Sequence, residues 1–205
     1  MRKALLLIGV LLLCLGITYL LLHKSNTAEK PDPRDAPLTI GSNSSAFNRS
    51  FSGVLNTYYS LSYAFVSSDT AQLKMAALKL SKAVDSLRFD KLKADTIIIQ
   101  TAVNLAQSIQ GDIQGLNGEN TLEQKKREFN MITDELYSLI RTVRYDGSVI
   151  YHMRCPMAFA DSSEAYWLSA DNKIINPYLG KHHPVYQDKM LNCGEVSDSI
   201  HFVTQ

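Results

Sequence analysis

Hydrophobic residues recur along this chain with two different periods. Between residues 47 and 66, Phe47, Phe51, Val54, Leu55, Tyr58, Leu61 and Phe65 follow at steps of about three and four. That spacing gathers them on one stripe of an α-helix. The stretch "SSDTAQ" interrupts the stripe. Asp69 and Gln72, three residues apart, have the form of a helix-capping pair. A second stripe follows with Leu73, Ala76, Ala77, Leu80, Val84 and Leu87. A third helix is predicted over 91–114, with Ile98, Ala102, Leu105, Ile109 and Ile113 inward and "GLNGEN" ending it. Thr121, with Gln124 in the box position, opens a fourth, whose stripe is Phe129, Ile132, Leu136, Leu139, Ile140 and Val143. Four amphipathic helices with short connections predict a mainly α fold, an antiparallel four-helix up-down bundle.

After Asp146-Gly147 the period changes. "SVIYHM" and "AYWLS" (165–169) are β-branched and aromatic and read as short strands, while "NPYLG" and "NCGEV" carry turn chemistry. Residues 146–205 are therefore expected as a small irregular segment with short β-strands, too small to fold alone and packed on the bundle of residues 47–145. At the other end, residues 4–22 hold no charge. As a helix they would measure roughly 28 Å, enough to cross a bilayer. Arg2 and Lys3 before them favour a cytoplasmic N-terminus and export of the rest. Residues 1–22 thus read as one transmembrane anchor, with two alternatives open: a signal segment cleaved after Asn26-Thr27-Ala28, or lipidation at Cys14. Residues 23–46, rich in proline and small polar residues, read as a flexible linker.

Composition narrows the function. The 205 residues carry 21 Lys+Arg against 20 Asp+Glu, so there is no basic footprint for nucleic acid. No phosphate-cradling glycine loop, zinc-protease helix or nucleophile elbow is present, and the chain reads as a non-enzyme. With Cys14 in the apolar segment, two cysteines remain, each with a methionine nearby: Cys155 with Met157, and Met190 with Cys193. On extended chain, positions two apart share a face, and a turn can do the same for positions three apart. If the two segments meet, four sulfurs converge. Thiolate and thioether are soft donors that suit Cu(I) or Ag(I) better than hard cations, and structural zinc sites rarely use methionine. His152, Met153, His182 and His183 are possible additional ligands, with His201 close in sequence. The alternative is a Cys155–Cys193 disulfide closing a loop of about 38 residues, worth about 4 kcal/mol by chain-entropy reasoning, with the methionines as core fillers. Thiol exchange catalysis is a further alternative, without the C-x-x-C spacing such chemistry favours. Tyr166, Trp167 and Tyr178 read as aromatic packing.

The order Cys155-Pro156-Met157-Ala158, Trp167-Leu168-Ser169, Asn176-Pro177-Tyr178, Met190-Leu191-x-Cys193-Gly194 resembles an uncharacterised bacterial exported domain family. That family occurs alone and fused to periplasmic adaptor subunits of heavy-metal (copper/silver) efflux pumps, and the likeness spans about residues 50–200. The resemblance implies periplasmic metal handling as the context, which agrees with an inner-membrane anchor and a soluble part in the periplasm. That context favours the reading in which Cys155, Met157, Met190 and Cys193 bind or buffer Cu(I) or Ag(I), with an efflux adaptor or another envelope protein as partner. A non-catalytic envelope interaction module stapled by the two cysteines remains the rival expectation. One departure from the family pattern is "KHHPVYQ" (181–187), inserted between the N-P-Y turn and the second sulfur pair.

Overall fold

Three helices begin at a side chain that caps them. In the computed structural model, which describes residues 43–160 and 162–202 together with Tyr19, Ser44 accepts from the Phe47 amide at the start of α1 (Ser45–Val66). Asp69 accepts from the Gln72 amide at 3.0 Å and opens α2 (Thr70–Asp85). Thr121 does the same for Gln124 at 3.2 Å and opens α4 (Leu122–Val143). Such caps satisfy backbone donors that the first turn leaves unpaired.

The third helix departs from expectation. Residues 89–91 form a 3-10 turn, and α3 runs over Thr96–Gly118. Asp95 stands at its cap position without a side-chain bond. The predicted stop at "GLNGEN" is overrun, because the backbone continues its helical bonds until the Glu119 amide reaches the Gly115 carbonyl. Ile98, expected inside, is exposed, and Leu105 is half-buried; Ala106 and Leu116 are buried in addition to Ala102, Ile109 and Ile113. The stripe residues predicted for the other three helices are buried.

Three strands follow. β1 (Ile150–Cys155) lies between β2 (Ala165–Ser169) and β3 (Glu195–Ile200), antiparallel to both, in the order β2-β1-β3. β2 coincides with the predicted strand, and β1 sits two residues beyond its predicted start. β3 was not anticipated. Most of its residues are exposed, so it lacks the apolar alternation that marks a half-buried strand. Its register against β1 breaks between His152 and Met153, with Ser197 as the extra residue.

Successive helices pack side by side, and β2 lies against α4 and α1. Large aromatics join α1 to α4 and its C-terminal flank: Tyr58 stacks on Phe129 at 5.3 Å, Phe65 meets Phe129 at 4.7 Å, and Phe51 stacks on Tyr145 at 4.7 Å. Trp167, Tyr178 and Phe159 carry this aromatic layer into the C-terminal segment, so helices and sheet share a single core. At its centre the Tyr58 hydroxyl accepts from the Leu168 amide and shares a 2.7 Å bond with Thr133. Thr39–Gln205 forms one compact unit. The predicted anchor, residues 4–22, lies outside the described residues except for Tyr19, as do Cys14 and the linker up to residue 42. Among the described residues no helix is long and apolar enough to cross a membrane.

Candidate functional site

β1 decides where Cys155 goes. Alternation along the strand puts Tyr151, Met153 and Cys155 on one face and Ile150, His152 and Arg154 on the other. Met153 and Cys155 are fully buried beside Ala165 and Trp167, their partners across β2. On the far side of β1, Arg154 pairs with Glu195, which puts Cys193 just ahead of β3 at the same end of the sheet. The two cysteines are free, and the Cys193 thiol lies near enough to Cys155 to be perturbed by it. Burial, and then the neighbouring Cys155, push the Cys193 thiol up from its ordinary value. A thiol in that state keeps its proton at neutral pH unless a metal or an oxidant removes it.

Two surrounding residues hold the pair in place. Gly194 has φ +136°, a conformation side-chain-bearing residues rarely adopt. A Cβ there would lie 2.7 Å from the Arg154 carbonyl oxygen and 2.8 Å from the Trp167 ring. Asn176 is fully buried. Its side-chain oxygen accepts from the Tyr178 amide at 2.8 Å and the Leu179 amide at 3.0 Å, and its Nδ2 donates to the Cys193 carbonyl at 2.8 Å. Its backbone amide donates to the Leu191 carbonyl at 2.8 Å. The "NPY" and "CG" residues are therefore structural fasteners that deliver Cys193 to Cys155.

The methionines part from the cysteines. β1 ends at Cys155 and the chain turns at Pro156-Met157, so Met157 does not share the Cys155 face; it is 52 % exposed where Cys155 is enclosed. Met190 is half-buried against the core, one turn from Cys193, whose amide donates to the Met190 carbonyl. Met157 and Met190 both line a cleft of about 530 Å³, whose walls include neither cysteine. The expected convergence of four sulfurs thus resolves into a thiol pair and, separately, a thioether-lined cleft.

The histidines divide likewise. His152 is buried between the rings of Tyr137 at 4.2 Å and Tyr166 at 4.8 Å, on the opposite face of β1 from Cys155. Its Nε2 has no hydrogen-bond partner, and burial pulls its pKa below the ordinary value, partly countered by Asp198. His182 and His201 are exposed. His183 lines the cleft, but its Nδ1 accepts from the amides of Val185 and Tyr186, each at 3.2 Å. That places the proton of the neutral ring on Nε2. The ring therefore offers a donor to the cleft and no lone pair to a metal. Two charged cleft residues escaped the sequence reading, Glu123 and Lys126. Lys126 left a signal: it stands three before Phe129, on the apolar stripe of its helix, where a charge is out of place.

No curated protein and no solved structure matches this chain. Over residues 54–146 the chain matches the model of a family described as a protein of unknown function, DUF3347; the match covers the helical half and stops before β1, leaving the cysteine-bearing segment outside it.

Proposed function

We propose that the C-terminal segment binds a soft monovalent ion, Cu(I) or Ag(I), through the thiolates of Cys155 and Cys193. The chain buffers the ion or passes it to an envelope partner such as an efflux adaptor, with residues 4–22 anchoring it to the inner membrane and the rest in the periplasm. One observation carries this reading: two free cysteines about 38 residues apart are brought to the same end of the sheet, Cys155 buried in the core and Cys193 half-buried against it. Soft d10 ions accept such a thiolate pair, and an enclosure that excludes water strengthens it. Met153, on the Cys155 face of β1, is the thioether this reading adds to the pair. Binding displaces the Cys193 proton, so affinity rises with pH. The test is competition for Cu(I) against a chelator, with the full chain under reducing, oxygen-free conditions. The expected result is saturable binding that a Cys155→Ser/Cys193→Ser variant loses; equal binding by both proteins ends the proposal.

The placement of the two cysteines also favours a second reading, a disulfide staple in a non-catalytic interaction module. Two neighbouring thiols at a strand end need only a two-electron oxidant, such as an exchangeable disulfide, to form the bond and release two protons. Under that reading the protein isolated from cells is quantitatively oxidised, and reducing it lowers its unfolding midpoint.

A further inference from the structure

The thioether-lined cleft has features that the thiol pair does not explain. Its volume of about 530 Å³ falls in the range of small-molecule sites. Phe159, Leu179 and Val185, with Met157 and Met190, give it an apolar wall. Lys126, His183 and Glu123 also line it, and they differ in kind. Lys126 is 8 % exposed, and its ammonium donates to the Tyr178 carbonyl. An ammonium has three donors, and this carbonyl takes one of them. His183, its Nδ1 held by two amides, presents Nε2–H as a second donor. Glu123 supplies the opposite chemistry. Its side chain is 44 % exposed and pairs with Arg127 at 3.6 Å, beyond good hydrogen-bond reach. All three residues line the same cleft. Two donors, one anionic acceptor and an apolar wall complement a molecule bearing both charges and an apolar body.

We propose that this cleft binds a small zwitterion of the apolar α-amino-acid class. Its carboxylate lies on Lys126 Nζ and His183 Nε2, its ammonium on the Glu123 carboxylate, and its side chain on the Met157–Phe159 wall. Each charge match makes a charge-assisted bond, the strongest class of hydrogen bond available there. The thiol pair takes no part, so this inference does not depend on the metal-binding reading.

The experiment is calorimetric titration of the reduced, metal-free full chain with L-phenylalanine. Two analogues accompany it: hydrocinnamate, which lacks the ammonium, and phenethylamine, which lacks the carboxylate. Saturable phenylalanine binding is expected, with each analogue about tenfold weaker. Glu123→Gln should weaken phenylalanine and leave hydrocinnamate unchanged, whereas Lys126→Met should weaken both acids. His183→Gln, on a loop, serves in place of Lys126→Met if that variant does not fold, and should weaken both acids as well. Cys155→Ser/Cys193→Ser should bind phenylalanine as the unaltered chain does, which separates this outcome from any failure of the metal site. No saturable binding of phenylalanine, or hydrocinnamate binding as tightly as phenylalanine, overturns the proposal.

Discussion

Burial gives two side chains opposite responses to acid. His152, enclosed between Tyr137 and Tyr166, has a folded-state pKa below its ordinary value. The unfolded chain therefore takes up a proton first, and the stability His152 contributes is present above about pH 6.5 and lost as pH falls through its folded value. Asp112 behaves in reverse. Burial, then the carboxylates of Glu135 and Glu128, raise it to about 6. Its carboxylate opposes folding above that pH, and acidification from about 6 to 4 relieves the opposition. Urea midpoints across pH 4–8 separate the two. His152→Phe keeps the ring stack and should remove the acid-side loss. Asp112→Asn should stabilise the chain at pH 7 and remove the acid-side gain. Identical pH profiles for all three proteins would refute both assignments. Neither shift was legible in the sequence. His152 stood out there as a metal-ligand candidate, and its aromatic enclosure comes from α4 and β2, segments that pattern alone does not bring together.

Elements whose rules are local were the legible ones. The caps at Asp69 and Thr121 follow from residue types three apart, and the stripes of α1, α2 and α4 from a single period. β2 was legible because "AYWLS" is bounded by polar residues. β1 was misplaced because its end is set by the turn at Pro156, and that turn sends Met157 away from Cys155. β3 was missed because an exposed edge strand carries no apolar code; its place comes from pairing with β1. The junction of β1 and β3 depends on Gly194, where φ is +136° and the Arg154 carbonyl and the Trp167 ring leave no room for a side chain. Gly194→Ala should cost about 1–3 kcal/mol or more by strain and displacement. It should also separate Cys193 from Cys155, so thiol labelling of Cys193 should quicken. An unchanged denaturation midpoint with unchanged labelling would show that the junction tolerates a side chain.

At the scale of the molecule, the family match and the folding unit differ. The match covers the helices, yet the core they share with the sheet is continuous: Tyr58 binds the Leu168 amide, and Phe129 packs on Tyr178. A chain ending at Asp146 would uncover fully buried aromatics and leave the Tyr58–Thr133 pair without its third partner. Such a chain should lose cooperative thermal unfolding and bind an apolar dye. A cooperative transition at the midpoint of the intact protein would mean the helices stand alone. The sequence pattern did foresee a C-terminal segment that packs on the helices. It did not foresee that Asn176 and Gly194 organise the packing, since a buried amide and a strained glycine look ordinary in a string of letters.

Asn176 also bears on how this chain can vary. By binding the Leu191 and Cys193 carbonyls, it closes the base of the excursion that carries "KHHPVYQ". Residues 181–187, beyond that clasp and outside the core that Tyr178 and Leu179 join, can be lengthened, shortened or exchanged while the two cysteines stay in register. His183, Val185 and Tyr186 belong to the excursion and shape the cleft, whereas Cys193 lies behind the clasp. The protein therefore has two independently inheritable parts within one small segment: a replaceable mouth and a fixed sulfur pair.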